Sequence, residues 1–111
     1  MSYFFCRLKP PRLSFIAEMT EEEMLVMRRH REYWMPRVEI GVVIAMGPVA
    51  DPAGDWGLML ANTPSLGWLE RAQAEDPTIK AGTGFRFENY PMPALRVAPI
   101  EPLAPVSSIS P

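Results

Sequence analysis

His30 is the single histidine in this chain, and its residue type raises the first chemical possibility. An imidazole with an unperturbed pKa of about 6.5 can take or give a proton near neutrality. Met27 lies three residues before it and Trp34 four after it, so on a helix it shares a stripe with large apolar groups. That placement allows two readings. One is a partly buried histidine hydrogen-bonded to a neighbour; the other is a general acid/base whose tautomer is set by a carboxylate or carbonyl. Asp76, in Glu75-Asp76-Pro77, is the candidate carboxylate. It could do no more than end a helix in an Asp-Pro turn, or it could orient His30 if two helices lie side by side. Asp51, in Asp51-Pro52-Ala53-Gly54, is the weaker candidate, because that run is ordinary turn chemistry.

Other residues carry less. Arg7 interrupts an apolar strand and is expected either to pair with a carboxylate or to bind an anionic ligand. Cys6 reads as a small core residue, not a nucleophile. One cysteine cannot form an internal disulfide, and one histidine with one cysteine argues against a zinc or iron–sulfur site within one chain. No metal is therefore expected. Gly82-x-Gly84 is too short for a dinucleotide fingerprint and precedes a strand where the fingerprint follows one. Arg28, Arg29, Arg31 and Arg37 read as a solvated helix face balanced by Glu32 and Glu39.

A chain of 111 residues suggests one domain. Its formal charge of -2 argues against a nucleic-acid partner, which needs a basic surplus to neutralise phosphates. At 48% hydrophobic residues the chain can build a core. No apolar run reaches the roughly 18 residues that span a bilayer, so no membrane partner is expected. Met1-Ser2-Tyr3-Phe4-Phe5-Cys6-Arg7 lacks a basic region followed by a long apolar stretch, which argues against a secretory signal. With the single cysteine, this points to a reducing, cytoplasmic location.

The elements that must position His30 and Asp76 follow from local signals. Tyr3 to Leu8 is aromatic and β-prone and predicts a strand, stopped by Lys9-Pro10-Pro11. A loop is expected to Met19. Thr20-Glu21-Glu22-Glu23 is a capping box at the start of a helix, with three acids at the positive end of its dipole. Pro36 is expected to end or kink that helix near Met35. Val42 to Met46 predicts a strand ended by Gly47-Pro48, and Trp56 to Leu60 a third strand. Thr63-Pro64 offers an N-cap and first-turn proline for a second helix to about Glu75, broken by Asp76-Pro77. Phe85 to Tyr90 alternates and predicts the fourth strand. The order β-α-β-β-α-β is that of an α+β, ferredoxin-like fold: a four-stranded antiparallel sheet with two helices on one face. Six of the 13 prolines fall in the last 21 residues. The expected organisation is a domain over 1–97 and a proline-rich tail over 98–111.

With both helices on one side, the other sheet face of a lone subunit should show polar alternation. It does not. Strand one carries Phe4, Cys6 and Leu8 on one side and Tyr3, Phe5 and Arg7 on the other. Strand two carries Val42, Ile44 and Met46 against Val43 and Ala45; strand three carries Trp56, Leu58 and Leu60 against Gly57 and Met59. Large exposed apolar patches mark interfaces. Either a second copy packs sheet to sheet, giving a homodimer, or the tail covers the face within one chain.

Several of these residues together resemble the YciI-like (YCII-related) family. The likeness covers about residues 3–97. It includes Tyr3-Phe4-Phe5-Cys6-Arg7-Leu8, Arg29-His30-x-x-Tyr33-Trp34 and Met46-Gly47-Pro48-Val49. It continues through Ala74-Glu75-Asp76-Pro77, Ala81-Gly82, Phe85-Arg86-Phe87-Glu88 and Pro91-Met92. Pro36 and the proline-rich tail depart from the family pattern. The resemblance implies a dimeric α+β barrel and a histidine–aspartate pair, His30 and Asp76, in a cleft. Tyr3, Arg7 and Tyr33 are expected to line a small pocket beside the barrel interior. The expected function is a cofactor-independent proton transfer, an elimination or isomerisation on a small, aromatic-type substrate. The alternatives are a non-catalytic small-ligand-binding or stress-associated dimeric module, and a purely structural partner domain.

Overall fold

The computed structural model describes residues 1–98. The tail expected at 98–111 therefore lies, apart from Ala98, outside the described residues. Four strands form one antiparallel sheet in the order β2-β3-β1-β4: β1 Ser2–Lys9, β2 Val43–Val49, β3 Trp56–Thr63 and β4 Arg86–Met92. The long helices are α2, Glu21–Glu39, and α3, Leu66–Ala74; single-turn helices α1, Phe15–Glu18, and α4, Pro77–Lys80, accompany them. The protein is thus α+β, and this arrangement is compatible with the ferredoxin-like expectation. No helix among the described residues is long and apolar enough to cross a membrane.

Register decides which side chains meet. Phe4 stands opposite Ala61 and Cys6 opposite Met59 in the β1–β3 pairing, while Leu8 stands opposite Phe87 in the β1–β4 pairing. Phe4, Cys6, Met59 and Ala61 form a buried cluster with Val43, Trp34 of α2 and Leu69 of α3, so both long helices cover the same sheet face. Gln73 and Asn89 exchange two side-chain hydrogen bonds, at 2.8 and 2.7 Å, and tie α3 to β4. Burial pushes the Cys6 thiol up to about 12, as expected of a core cysteine that does not ionise.

The local expectations need five corrections. Pro36 does not end α2, which continues to Glu39. Pro36 is exposed and sits in the last turn, where the one backbone bond it forgoes leaves a carbonyl free to meet water. Strand β2 runs through Gly47-Pro48, because it is an edge strand and a proline there breaks no ladder on its free side. A register shift between Val43 and Ala45 places both Val43 and Met46 against the core, so strict alternation mis-sorted that strand. Thr63 remains in β3, and Ser65 caps α3 by accepting from the Trp68 amide at 3.1 Å. The expected loop before Thr20 contains α1, held by Phe15 packed edge-on against Phe85 at 5.2 Å and by the Ile16 amide donating to Asp55 at 2.8 Å.

The start of α2 matters most for His30, because it sets the helix in register. Thr20 Oγ1 accepts from the Glu23 amide at 3.1 Å and Glu23 Oε1 accepts from the Thr20 amide at 3.0 Å, completing the expected capping box. The Arg12 guanidinium grips the same Glu23 carboxylate through two bonds of 2.9 and 2.7 Å. These contacts hold the Glu23 carboxyl down to about 2. Thr20→Ala removes one arm of the box and is expected to lower stability by about 1 kcal/mol. Urea denaturation with an unchanged m-value measures it; an unaltered midpoint would show that Arg12 alone suffices.

Candidate active site

The site is assembled where α2 meets the N-terminus of α4. His30 and Trp34 are four residues apart on α2 and present the same stripe inward; both are buried. Asp76 is the N-cap of α4 and fully buried, with Pro77 in the first turn of that helix. Its two oxygens have separate duties. Oδ1 accepts from the Thr78 amide at 2.8 Å and the Thr78 hydroxyl at 2.9 Å. Oδ2 accepts from His30 Nδ1 at 2.7 Å and from the Trp34 indole at 2.6 Å.

A buried carboxylate is costly to desolvate unless its lone pairs are satisfied. Here four donors converge on it. Burial by itself would raise the Asp76 carboxyl, but the hydrogen bond and attraction of His30, the Trp34 indole and the Thr78 amide outweigh it and hold the group below the ordinary aspartate range. An ionised carboxylate has no proton to give, so Nδ1 of His30 must donate. In the neutral ring that leaves the lone pair on Nε2, which makes no hydrogen bond among the described residues.

His30 borders a solvent-open cavity of about 340 Å³ between α1, α2 and the sheet. This lies at the small end of the roughly 300–1,000 Å³ usual for small-molecule sites. Its wall is mostly apolar, with Met27, Met46, Met59, Phe15 and Phe87 contributing. A histidine with one nitrogen anchored to a carboxylate and its ring on the wall of an apolar cavity can serve as a general base, or in its protonated form as an acid.

Not every expected residue joins the site. Tyr3 and Arg7 project from the opposite face of the sheet, because β1 alternates and its other face carries Phe4, Cys6 and Leu8. Among the described residues Arg7 meets no carboxylate and does not border the cavity; its guanidinium stacks 4.5 Å from the Trp56 ring centroid. Tyr33 points away from the cavity and donates its hydroxyl to the Ala72 carbonyl, with Arg37 over its ring at 4.4 Å. Burial raises the Tyr33 hydroxyl further from ionisation. Asp51 accepts from the Ala53 amide and the Trp56 indole, the turn role expected of it. Trp34 and Thr78 were not singled out from sequence. Trp34 had one usable signal, its four-residue spacing from His30; Thr78 had the Asx-type position two residues after Asp76.

No protein-family model matches the chain, and no curated protein matches it.

Since the folded Asp76 carboxyl lies below the unfolded value of about 3.9, its contribution to stability is complete above that pH and is lost as pH falls through the folded value. Asp76→Asn keeps the shape but offers an amide N–H where donors converge. It is expected to cost about 2–4 kcal/mol at neutral pH. The gap to the parent chain should narrow below about pH 4. Urea denaturation of both proteins down to about pH 3 tests this, and a gap independent of pH would show that Asp76 is not ionised in the folded chain.

Proposed function

We propose that this chain is a YciI-like, cofactor-independent enzyme in which His30 transfers a proton on a small, largely apolar substrate, in an elimination or isomerisation. The observation that carries the reading is the anchored imidazole on the cavity wall: Asp76 takes Nδ1 at 2.7 Å while the ring borders an apolar space. Nε2 would remove a proton from the substrate and return it, or pass it to a leaving group. Asp76 is then a positioning residue that keeps the tautomer and steadies the imidazolium formed in the step. Trp34 and Thr78 act one layer further back, by holding the carboxylate. A binding module without turnover is the second reading, favoured by the predominance of thioether and aromatic side chains on the wall.

The test uses compounds of the phenolic and lactone classes, first selected by thermal shift. Exchange of a carbon-bound proton for deuterium is then followed by NMR in heavy water. His30→Asn, which keeps an amide donor toward Asp76 but no imidazole, is expected to fold and to slow exchange by about 100-fold or more. An unchanged rate would leave the binding module as the better account.

The proposed assembly is a homodimeric barrel, with the split-βαβ sheets of two subunits face to face. Its support is the outer face of the sheet. Phe5 packs against Trp56 and Tyr90 at 5.9 and 6.0 Å, and Leu58 and Leu60 are half-buried beside them. Tyr90 remains 48% exposed. Arg7 Nε and Asn62 Oδ1, both on this face, are buried without hydrogen-bond partners among the described residues. A second copy would cover the aromatic patch and could satisfy both polar atoms. Light scattering at micromolar concentration should report twice the 12.5 kDa chain mass. Phe5→Glu should reduce it to one chain mass. A parent chain that already scatters as a single subunit would sink the assembly.

A further inference from the structure

The geometry points to a ligand class for the cavity: a small apolar molecule of one or two rings bearing a single negative charge, with that charge on Arg31 at the rim. This deepens the proposed proton-transfer site and rests on that reading for its chemistry, but the binding argument is separate. Three ionisable side chains border the cavity: His30, Arg31 and Asp55. Their commitments differ. His30 gives Nδ1 to Asp76. Asp55 accepts the Ile16 amide at 2.8 Å and so pins α1 over the cavity. Arg31 alone of the three makes no hydrogen bond or ion pair among the described residues, although Arg28 on the same helix pairs with Glu32 at 3.8 Å.

Arg31 and His30 are neighbours in sequence on α2, and both reach the same cavity. A ligand held at its charged end by the guanidinium would therefore place its apolar body among Met27, Met46, Met59 and Phe87, close to the imidazole. The arrangement suits a carboxylate, whose two oxygens match the guanidinium fork. A cationic ligand would meet an unpaired arginine with only an occupied Asp55 to attract it. A neutral one would leave the guanidinium at the mouth with water alone.

The methionines allow the site to be located as well as the affinity measured. Met19, Met27, Met35, Met46 and Met59 border the cavity; Met1, Met24 and Met92 do not. The full chain, carrying carbon-labelled methionine methyl groups, is titrated with naphthylacetate, naphthylacetamide and naphthylethylamine, which share one apolar body. Naphthylacetate is expected to bind about tenfold more tightly than the other two, as one charge-assisted pair at a rim would give. Methyl shifts should be confined to the cavity methionines. Arg31→Gln, a change at an exposed position, should bring naphthylacetate to the level of the amide and leave the amide unchanged.

The proposal is overturned if the amide or amine binds as tightly as the acid, if Arg31→Gln leaves the preference intact, if the shifts fall on Met1, Met24 or Met92, or if no probe binds. Proton exchange is not part of this readout. A chain that prefers the acid but exchanges no carbon-bound proton keeps the ligand class and loses the catalytic reading. One that exchanges protons on neutral compounds without preferring the acid does the reverse.

Discussion

The buried Asp76 carboxylate is the constraint around which the site is organised. A charge taken out of water must find donors on every side. The chain supplies them from two elements far apart in sequence. Thr78, two residues on, donates its amide and hydroxyl to Oδ1, so that Asp76 caps α4; His30 and Trp34, more than forty residues earlier, reach Oδ2 from α2. The two roles open to Asp76 from sequence, turn residue and partner of His30, are therefore both present, one on each oxygen. The cap fixes where the carboxylate points, and that in turn fixes which nitrogen of His30 carries a proton.

This coupling links fold stability to site geometry. Helix α2 cannot rotate without taking His30 and Trp34 away from Asp76, and its starting register is set by Thr20, Glu23 and Arg12. At its other end α2 tolerates Pro36 on the solvent side. Helix α3 is held to β4 by the Gln73–Asn89 amide pair, so the Asp76 turn that follows it has a fixed base. Rigid elements on both sides of a short hydrogen-bonded cluster are what a proton-transfer site needs, because a displaced base loses its reach.

The sheet divides the protein into two chemically different sides. Its inner face meets the helices through aliphatic, thiol and aromatic groups and ends in the cavity beside His30. Its outer face gathers Phe5, Trp56 and Tyr90 around Arg7. The cation of Arg7 is stabilised there by an aromatic ring where a carboxylate or ligand was expected. Sequence alternation correctly assigned Tyr3 and Arg7 to the face opposite Phe4 and Cys6; the cavity beside His30 lies on the other face.

Sequence alone determined the order of the four strands and two long helices, the capping box of α2, the core role of Cys6 and the facing of β1 and β3. Each of these depends on neighbours within a few residues: a hydroxyl and carboxylate three apart, a period of two, a proline without its N–H. It also identified His30 and Asp76 as the pair to watch, but not that they touch. Tertiary structure decided the rest. The shift that turns both Val43 and Met46 inward, the passage of strand and helix through Pro48 and Pro36, and the return of Tyr33 to the Ala72 carbonyl depend on which side of each element is covered. The convergence of Trp34 and Thr78 on one carboxylate belongs to the same class, because a hydrogen bond across more than forty residues leaves no periodicity in the chain.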